Sequence, residues 1–224
     1  MQKTLKGVPL LWENEHCLIF DKPQGLAVQG GAGIKVSLDS LLEECYTPRP
    51  LLVHRLDRDT SGLILAAKNG KAAADMAALF ARGALKRRYL GVCTGIPREQ
   101  EGRISLDLEE GGKVKKAETR YRVLQHRALG EQSWALLELD LGTGRMHQIR
   151  RHLAQIGHPL LGDQKYGDFA LNRALKKTMG LKQLLLHAWA LTIPPSAFCP
   201  GGLEISAPPP EYFELYIEPS MLRR

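Results

Sequence analysis

The apolar residues of this chain come in short runs broken by turn-forming residues, and that spacing constrains the fold more than any other feature. Residues 10–12, 17–20, 26–28, 51–53, 63–67 and 89–93 are each the length of a short strand, and polar breakers such as Glu13-Asn14-Glu15 and Pro23-Gln24-Gly25 separate them. Longer strands are expected over 118–124, 134–141 and 184–193. An edge strand is expected over 203–207, stopped by Pro208-Pro209-Pro210. Helical spacing interrupts this pattern in few places. Ser37 is a good N-cap, with Leu38, Leu41, Leu42 and Cys45 on one face after it. Asn69 caps an alanine-rich helix whose stripe reads Ala73, Met76, Ala77 and Phe80. A third helix is expected over about 146–156 and a short one over 211–216. Between 95 and 116 runs a mixed connection with a hairpin turn at Gly111-Gly112. With no internal repeat and no linker, the reading is one α+β domain over 1–224 (core about 10–216) with a mainly antiparallel sheet.

A chain of 224 residues can bury a sizeable core, and 44% hydrophobic with 25% charged content suits a soluble globular protein. The net charge of +7 and pI near 9.3 point to a polyanionic partner, nucleic acid being the commonest. Cys17, Cys45, Cys93 and Cys199 include no Cys-x-x-Cys pair. They read as free thiols, Cys17 and Cys93 being buried small hydrophobes, rather than as a zinc site or a disulfide framework. The start, Met1-Gln2-Lys3-Thr4-Leu5-Lys6, lacks the apolar stretch of a leader, and no run approaches the roughly 18 apolar residues of a membrane span. A cytoplasmic protein, away from membranes, is expected.

The densest chemistry lies in His54-Arg55-Leu56-Asp57-Arg58-Asp59-Thr60-Ser61-Gly62, between two apolar runs. A solvated turn is the better account of such a block taken alone, and the pattern does not choose between Asp57 and Asp59. The helix after Gly144 is more informative. Met146, Ile149, Leu153 and Ile156 form its stripe, Arg150 lies one residue round from it, and Gln148 and Arg151 point away. A guanidinium buried there requires a carboxylate partner, unless it reaches out to solvent. In Leu85-Lys86-Arg87-Arg88-Tyr89-Leu90, an aromatic ends a basic run, a pairing that can stack a base and hold phosphates. Two further basic groups, Lys113, Lys115 and Lys116 with Arg120 and Arg122, and Arg173, Lys176, Lys177 and Lys182, read individually as solvated faces. Together they suggest that at least one surface faces RNA. His-Glu-x-x-His, the phosphate-binding loop and the Gly-x-Ser-x-Gly elbow are missing, and Gly30-Gly31-Ala32-Gly33 reads as a flexible turn. No metal or cofactor is expected.

His54-Arg55-Leu56-Asp57 followed by Thr60-Ser61-Gly62-Leu63 resembles the signature of the RluA-type pseudouridine synthases. Further segments agree in order: Phe20-Asp21-Lys22-Pro23-Gln24-Gly25-Leu26, the stretch from Lys86 to Leu90, and Gly144-Arg145-Met146-His147-Gln148-Ile149-Arg150. His158-Pro159-Leu160-Leu161-Gly162-Asp163 and Leu184-Leu185-Leu186-His187-Ala188 complete the set. The resemblance implies a bent, mainly antiparallel mixed sheet flanked by helices, and an isomerase that converts uridine to pseudouridine in ribosomal or transfer RNA. It makes Asp57 the catalytic aspartate, Arg150 its basic partner and Tyr89 the residue against the uracil. Substrate-binding roles fall to His54, Arg55, Arg145, His147 and Leu186. The S4-type RNA-binding domain that many relatives carry is not expected here, so docking rests on the catalytic domain's own basic surface, in a monomer. The competing expectation is a non-catalytic RNA-binding or RNA-chaperone protein on the same scaffold; a hydrolase using His54 or His147 has no supporting spacing.

Overall fold

The computed structural model describes residues 3–130 and 132–218; Met1 and Gln2, which open the segment read for a leader, lie outside the described residues. In chain order the first strands are β1 (Thr4–Leu5), β2 (Val8–Glu13) and β3 (Cys17–Lys22), followed by helix α1 (Leu38–Cys45). Next come β4 (Leu51–Leu52), β5 (Ser61–Ala67), α2 (Gly70–Ala81) and β6 (Lys86–Thr94). Strands β7 (Glu101–Ile104), β8 (Leu108–Glu110), β9 (Lys113–Lys115), β10 (Thr119–Leu129) and β11 (Gln132–Leu141) follow. The chain continues through α3 (Gln148–Gln155), α4 (Phe169–Met179), β12 (Leu186–Ile193) and β13 (Leu203–Ser206) to a 3-10 turn at Glu211–Phe213. The α+β class with a mixed, mainly antiparallel sheet agrees with the sequence reading. The residues gather into two compact units: Met1–Arg87 with Ala188–Ala207, and Arg88–His187 with Pro208–Arg224.

In the first unit β1, β2, β3 and β5 pair antiparallel in that order, β4 lies along the far end of β5, and β13 pairs β12. Strand β5 is buried along its whole length, as its unbroken apolar run implies. Alternation divides its residues between faces. Cys17, Ile19, Leu63, Leu65 and Ala67 share one core with Ala72, Met76 and Leu79 of α2. Both helices start where capping chemistry puts them. Ser37 and Ser40 form a reciprocal capping box, and the Asn69 side chain accepts from Ala72 N–H at 2.9 Å.

Gly62 occupies a backbone position that only glycine fits. Its φ is +108°, and an added Cβ would sit 2.3 Å from the Ala188 carbonyl oxygen. Gly62→Ala should therefore cost about 3 kcal/mol or more, from strain plus displacement of a neighbouring backbone. Urea unfolding that shows a loss below about 1 kcal/mol would mean that this close approach is not rigid.

In the second unit β6, β11, β10 and β7 pair antiparallel in that order, and β8 and β9 form a separate hairpin. Its turn is Gly111-Gly112, both with positive φ, as a two-residue hairpin loop requires. Leu160 bridges Cys93 of β6, and Leu161 N–H donates to Val92 O at 2.9 Å. Trp134 is buried and donates through Nε1 to Tyr216 O at 2.7 Å, which fastens the C-terminal segment of this unit.

Several expectations are corrected. Residues 26–28 are not a strand, because the carbonyls of Ala27 and Val28 accept the first N–H groups of α1 instead. Cys45 is exposed, although all four cysteines are free and the other three buried. In α2 the buried residues are Ala72, Met76 and Leu79, so the stripe is rotated and Ala77 faces out. Helix α3 starts at Gln148; Met146 precedes it and is 39% exposed, while Gln148, expected to point away, is buried. The expected helix over 211–216 is one 3-10 turn, and β7 and α4 went unforeseen.

Candidate active site

In the first unit, the loop from His54 to Thr60 is fixed through its backbone. Thr60 N–H donates to Asp57 O at 3.1 Å and closes a turn around the acid pair. Gly25 N–H donates to Arg58 O at 2.8 Å, Arg58 Nε to Gly25 O at 3.0 Å, and Gln24 Nε2 to Asp59 O at 2.8 Å. Behind these contacts lies Lys22, fully buried, donating to the carbonyls of Pro23 (3.0 Å), Leu26 (2.9 Å) and Arg58 (3.2 Å). One ammonium thus ties the two motif-bearing loops together. Burial pushes Lys22 down to about 8, against the pull of the Asp59, Asp57 and Asp21 carboxylates. Asp57 is half-buried and Asp59 exposed, a difference that the sequence did not reveal.

His54 and Arg55 differ in setting. Arg55 is exposed. The His54 ring lies 5.1 Å from that of Phe80, and Nε2 accepts the N–H of Leu65 in β5 at 2.9 Å, which places the proton on Nδ1. Burial, then the Arg87 charge, pushes His54 down to about 3. Its stabilising contribution is present above the unfolded value near 6.5 and is lost as pH falls toward 3. Asp21, raised by burial to about 6, has the opposite sign and gains stability as pH falls below 6. Between pH 6.5 and 5, Asp21→Asn should lose about 2 kcal/mol more than Asp21→Asn/His54→Gln. Equal slopes in urea unfolding would show that His54 titrates normally in the fold.

In the second unit the start of α3 is held without an ordinary cap. His147 sits at the N-cap with φ +54° and makes no side-chain cap bond. Gln148 does the anchoring. Its Oε1 accepts from the Thr143 hydroxyl (2.6 Å) and Arg145 N–H (3.0 Å), and its Nε2 donates to Glu118 O (2.7 Å) and the Thr119 hydroxyl (3.1 Å). His152, with no exposed surface, meets Thr119 Oγ1 through Nδ1 (2.9 Å) and Leu106 O through Nε2 (2.8 Å). Because a carbonyl only accepts, Nε2 carries the proton and Nδ1 takes the threonine's. The β8–β9 hairpin and the residue after it add contacts from outside: Arg151 donates to Glu109 O, Met146 N–H to the Glu110 carboxylate, and Arg145 Nε to Lys116 O.

Arg150 is 5% exposed and is gripped by Asp163, which accepts from Nε and Nη2 at 2.8 Å each. Asp163 is thus one carboxylate that answers the buried guanidinium, and it ends the His158-to-Asp163 segment. Asp163 also accepts the N–H groups of Lys165 (2.8 Å) and Tyr166 (2.9 Å). Burial pulls its carboxyl up, but Arg150 and those N–H groups outweigh it and hold the carboxyl below the usual range. The Arg150 guanidinium lies 5.3 Å over the Tyr166 ring, whose hydroxyl is 3.0 Å from His147 Nδ1. Asp163 occupies one edge of the guanidinium, which has five N–H donors in all. Tyr89 is buried in β6 opposite Leu139 of β11, and Leu186 packs toward Gly91. The structure thus gathers Arg150, His147, Tyr166 and Asp163 in the second unit, while His54, Arg55 and Asp57 belong to the first. Lys22, Gln148 and Asp163 were missed as functional supports. The available signal for Lys22 was the charged pair Asp21-Lys22 directly after the apolar run Cys17 to Phe20.

Comparison with known proteins identifies the family. Residues 16–155 match the family model described as RNA pseudouridylate synthase, more than half of the chain, and the chain belongs to that family. The RluA-type resemblance is borne out by the relatives. "Ribosomal large subunit pseudouridine synthase D" of Zymomonas mobilis is 34% identical over 207 residues, covering 82% of this chain and 64% of the relative. The protein of the same name from Nitrosomonas europaea is 36% identical over 208 residues, covering 84% and 59%. The chain therefore spans less than two thirds of the length of these relatives. Among solved structures, human RNA Pseudouridylate Synthase Domain Containing 4 superposes with a TM-score of 0.77 at 26% identity, covering 92% of this chain and 90% of that one. Human RNA Pseudouridylate Synthase Domain Containing 1, at 23% identity, shares the fold with a TM-score of 0.76.

Proposed function

We propose that this protein isomerises uridine to pseudouridine in RNA, with Asp57 as the catalytic aspartate. The observation that carries this reading is the Asp57 loop, clamped through its backbone to the Lys22 loop in a chain of this family. The reaction breaks the N1–C1′ bond of uridine, turns the ring over and forms a C5–C1′ bond. The C5 proton leaves to solvent and N1 gains one. A pre-positioned carboxylate serves as nucleophile or ion-pair stabiliser at this step. Tyr89 is proposed to lie against the uracil, and Arg150, braced by Asp163, to be the basic partner of the catalytic carboxylate. Arg55 and Arg145 are assigned to the flipped nucleotide and its phosphates, with His147 and Leu186 shaping the uracil's surroundings. His54 we assign to positioning, through its bond to β5.

RNA of the large ribosomal subunit is the first substrate to test, given what the bacterial relatives are named for, with transfer RNA second. No helix among the described residues is long and apolar enough to cross a membrane, and a cytoplasmic monomer is part of the proposal. So is a single catalytic domain: each compact unit draws on two separate stretches of chain, so neither can be excised as one segment. The purified protein should release tritium to water from large-subunit RNA labelled at uracil C5. Absence of release from both ribosomal and transfer RNA would refute the activity.

A further inference from the structure

Helix α4 carries a basic face that nothing in the mechanism above uses. Phe169, Arg173 and Lys176 recur at spacings of four and three and so share one face, while Asn172 and Leu175 turn inward. Together with Lys182, Gln164, Asn172 and Leu181, that face lines an open recess of about 360 Å3. Phe169 is 52% exposed, an unusual position for a large aromatic. From Phe169 to Leu203 the sequence holds no Asp or Glu, yet it holds Arg173, Lys176, Lys177 and Lys182. No ion pair is formed by any of these four among the described residues. Lys176 and Lys177 lie in the last turn, where a cation complements the helix C-terminus, and that alone would account for them. It accounts for neither Arg173, one turn earlier, nor Lys182, beyond the Gly180 cap, nor the outward phenyl ring. Asn172, on the inner face, accepts from Gly162 N–H at 2.9 Å and donates to Asp163 O at 3.0 Å. The face is therefore built on the same turn that grips Arg150.

We propose that this recess is a docking site for a single-stranded segment of RNA flanking the target uridine, with one base stacked on Phe169 and phosphates held by Arg173, Lys176 and Lys182. The nearest acid in sequence, Asp168, caps the helix and accepts from Ala170 and Leu171 N–H. An exposed ring beside cations that form no ion pair is the arrangement by which proteins hold single strands without reading sequence. The choice of RNA as occupant rests on the function proposed above.

The test uses the full chain and a labelled oligouridylate, reading Kd as a function of salt. Arg173→Glu/Lys176→Glu/Lys182→Glu should weaken binding at least tenfold, and the slope of log Kd on log salt should fall by about 2, for three phosphate contacts on a single strand. Phe169→Ala should weaken binding about tenfold with its salt slope unchanged, because stacking releases no counterions. A triple reversal at the exposed Lys71, Arg82 and Arg127 alters the net charge equally and should have a much smaller effect. Equal losses from the two triple variants, or no loss from the α4 variant, would overturn the proposal. Because Kd is read without turnover, a wild-type protein that binds through α4 but releases no tritium would refute the proposed activity and leave this inference standing.

Discussion

Asp57→Ala is expected to lower tritium release by at least about 10^4-fold while the protein stays folded. The loss is large because the reaction passes through a detached uracil, which needs a fixed carboxylate at the moment of cleavage and rejoining. Folding should survive because these loop anchors run through backbone atoms that alanine keeps. The carbonyls of Asp57, Arg58 and Asp59 accept from Thr60, Lys22, Gly25 and Gln24 whatever the side chain at 57. Thermal unfolding within a few degrees of wild type would confirm that the loss is chemical. Asp59→Ala separates the two acids. Asp59 is exposed and offers its carbonyl, not its carboxylate, to Gln24, so this variant should keep activity within about tenfold of wild type. If Asp59→Ala is dead and Asp57→Ala active, the acid has been assigned wrongly.

Asp163→Ala should be the most damaging substitution to stability in the second unit, costing about 3–5 kcal/mol in urea unfolding. It leaves the Arg150 guanidinium, which cannot shed its proton, buried without the carboxylate that takes two of its N–H groups. It also strips the acceptor from Lys165 and Tyr166 N–H. The same pair predicts acid sensitivity: a carboxyl held below its usual range contributes stability that is present at neutral pH and lost as pH falls through its folded value. Arg150→Met in the Asp163→Ala background should recover part of the loss, because the buried cation that Asp163 no longer holds is gone. Additive losses in that double variant would show that the two side chains act independently.

The parts of the fold legible in the sequence are those set by local chemistry. The Ser37 and Asn69 caps, the Gly111-Gly112 turn and the apolar runs of β3 and β5 each carry their own cause. The failures share a different origin. In α2 the alanines make every face apolar, so spacing does not fix which one turns inward. Residues 26–28 look like a strand, yet their carbonyls serve the first turn of a helix ten residues on, a tertiary choice. Gln148 looked solvent-facing because an amide usually is; four partners from Thr143, Arg145, Glu118 and Thr119 make its burial tolerable, and all four lie outside the helix expected over 146–156. The site divides the same way. Helical spacing demanded an anion for Arg150, but no pattern pointed to Asp163, thirteen residues on, and only the resemblance to a family preferred Asp57 over Asp59.

The most direct test of the central claim is pseudouridine mapping across ribosomal and transfer RNA from cells with and without the gene. At least one uridine should be pseudouridine only when the gene is present, restored by the wild-type gene and not by Asp57→Ala. Identical maps with and without the gene, or full restoration by Asp57→Ala, would contradict the account.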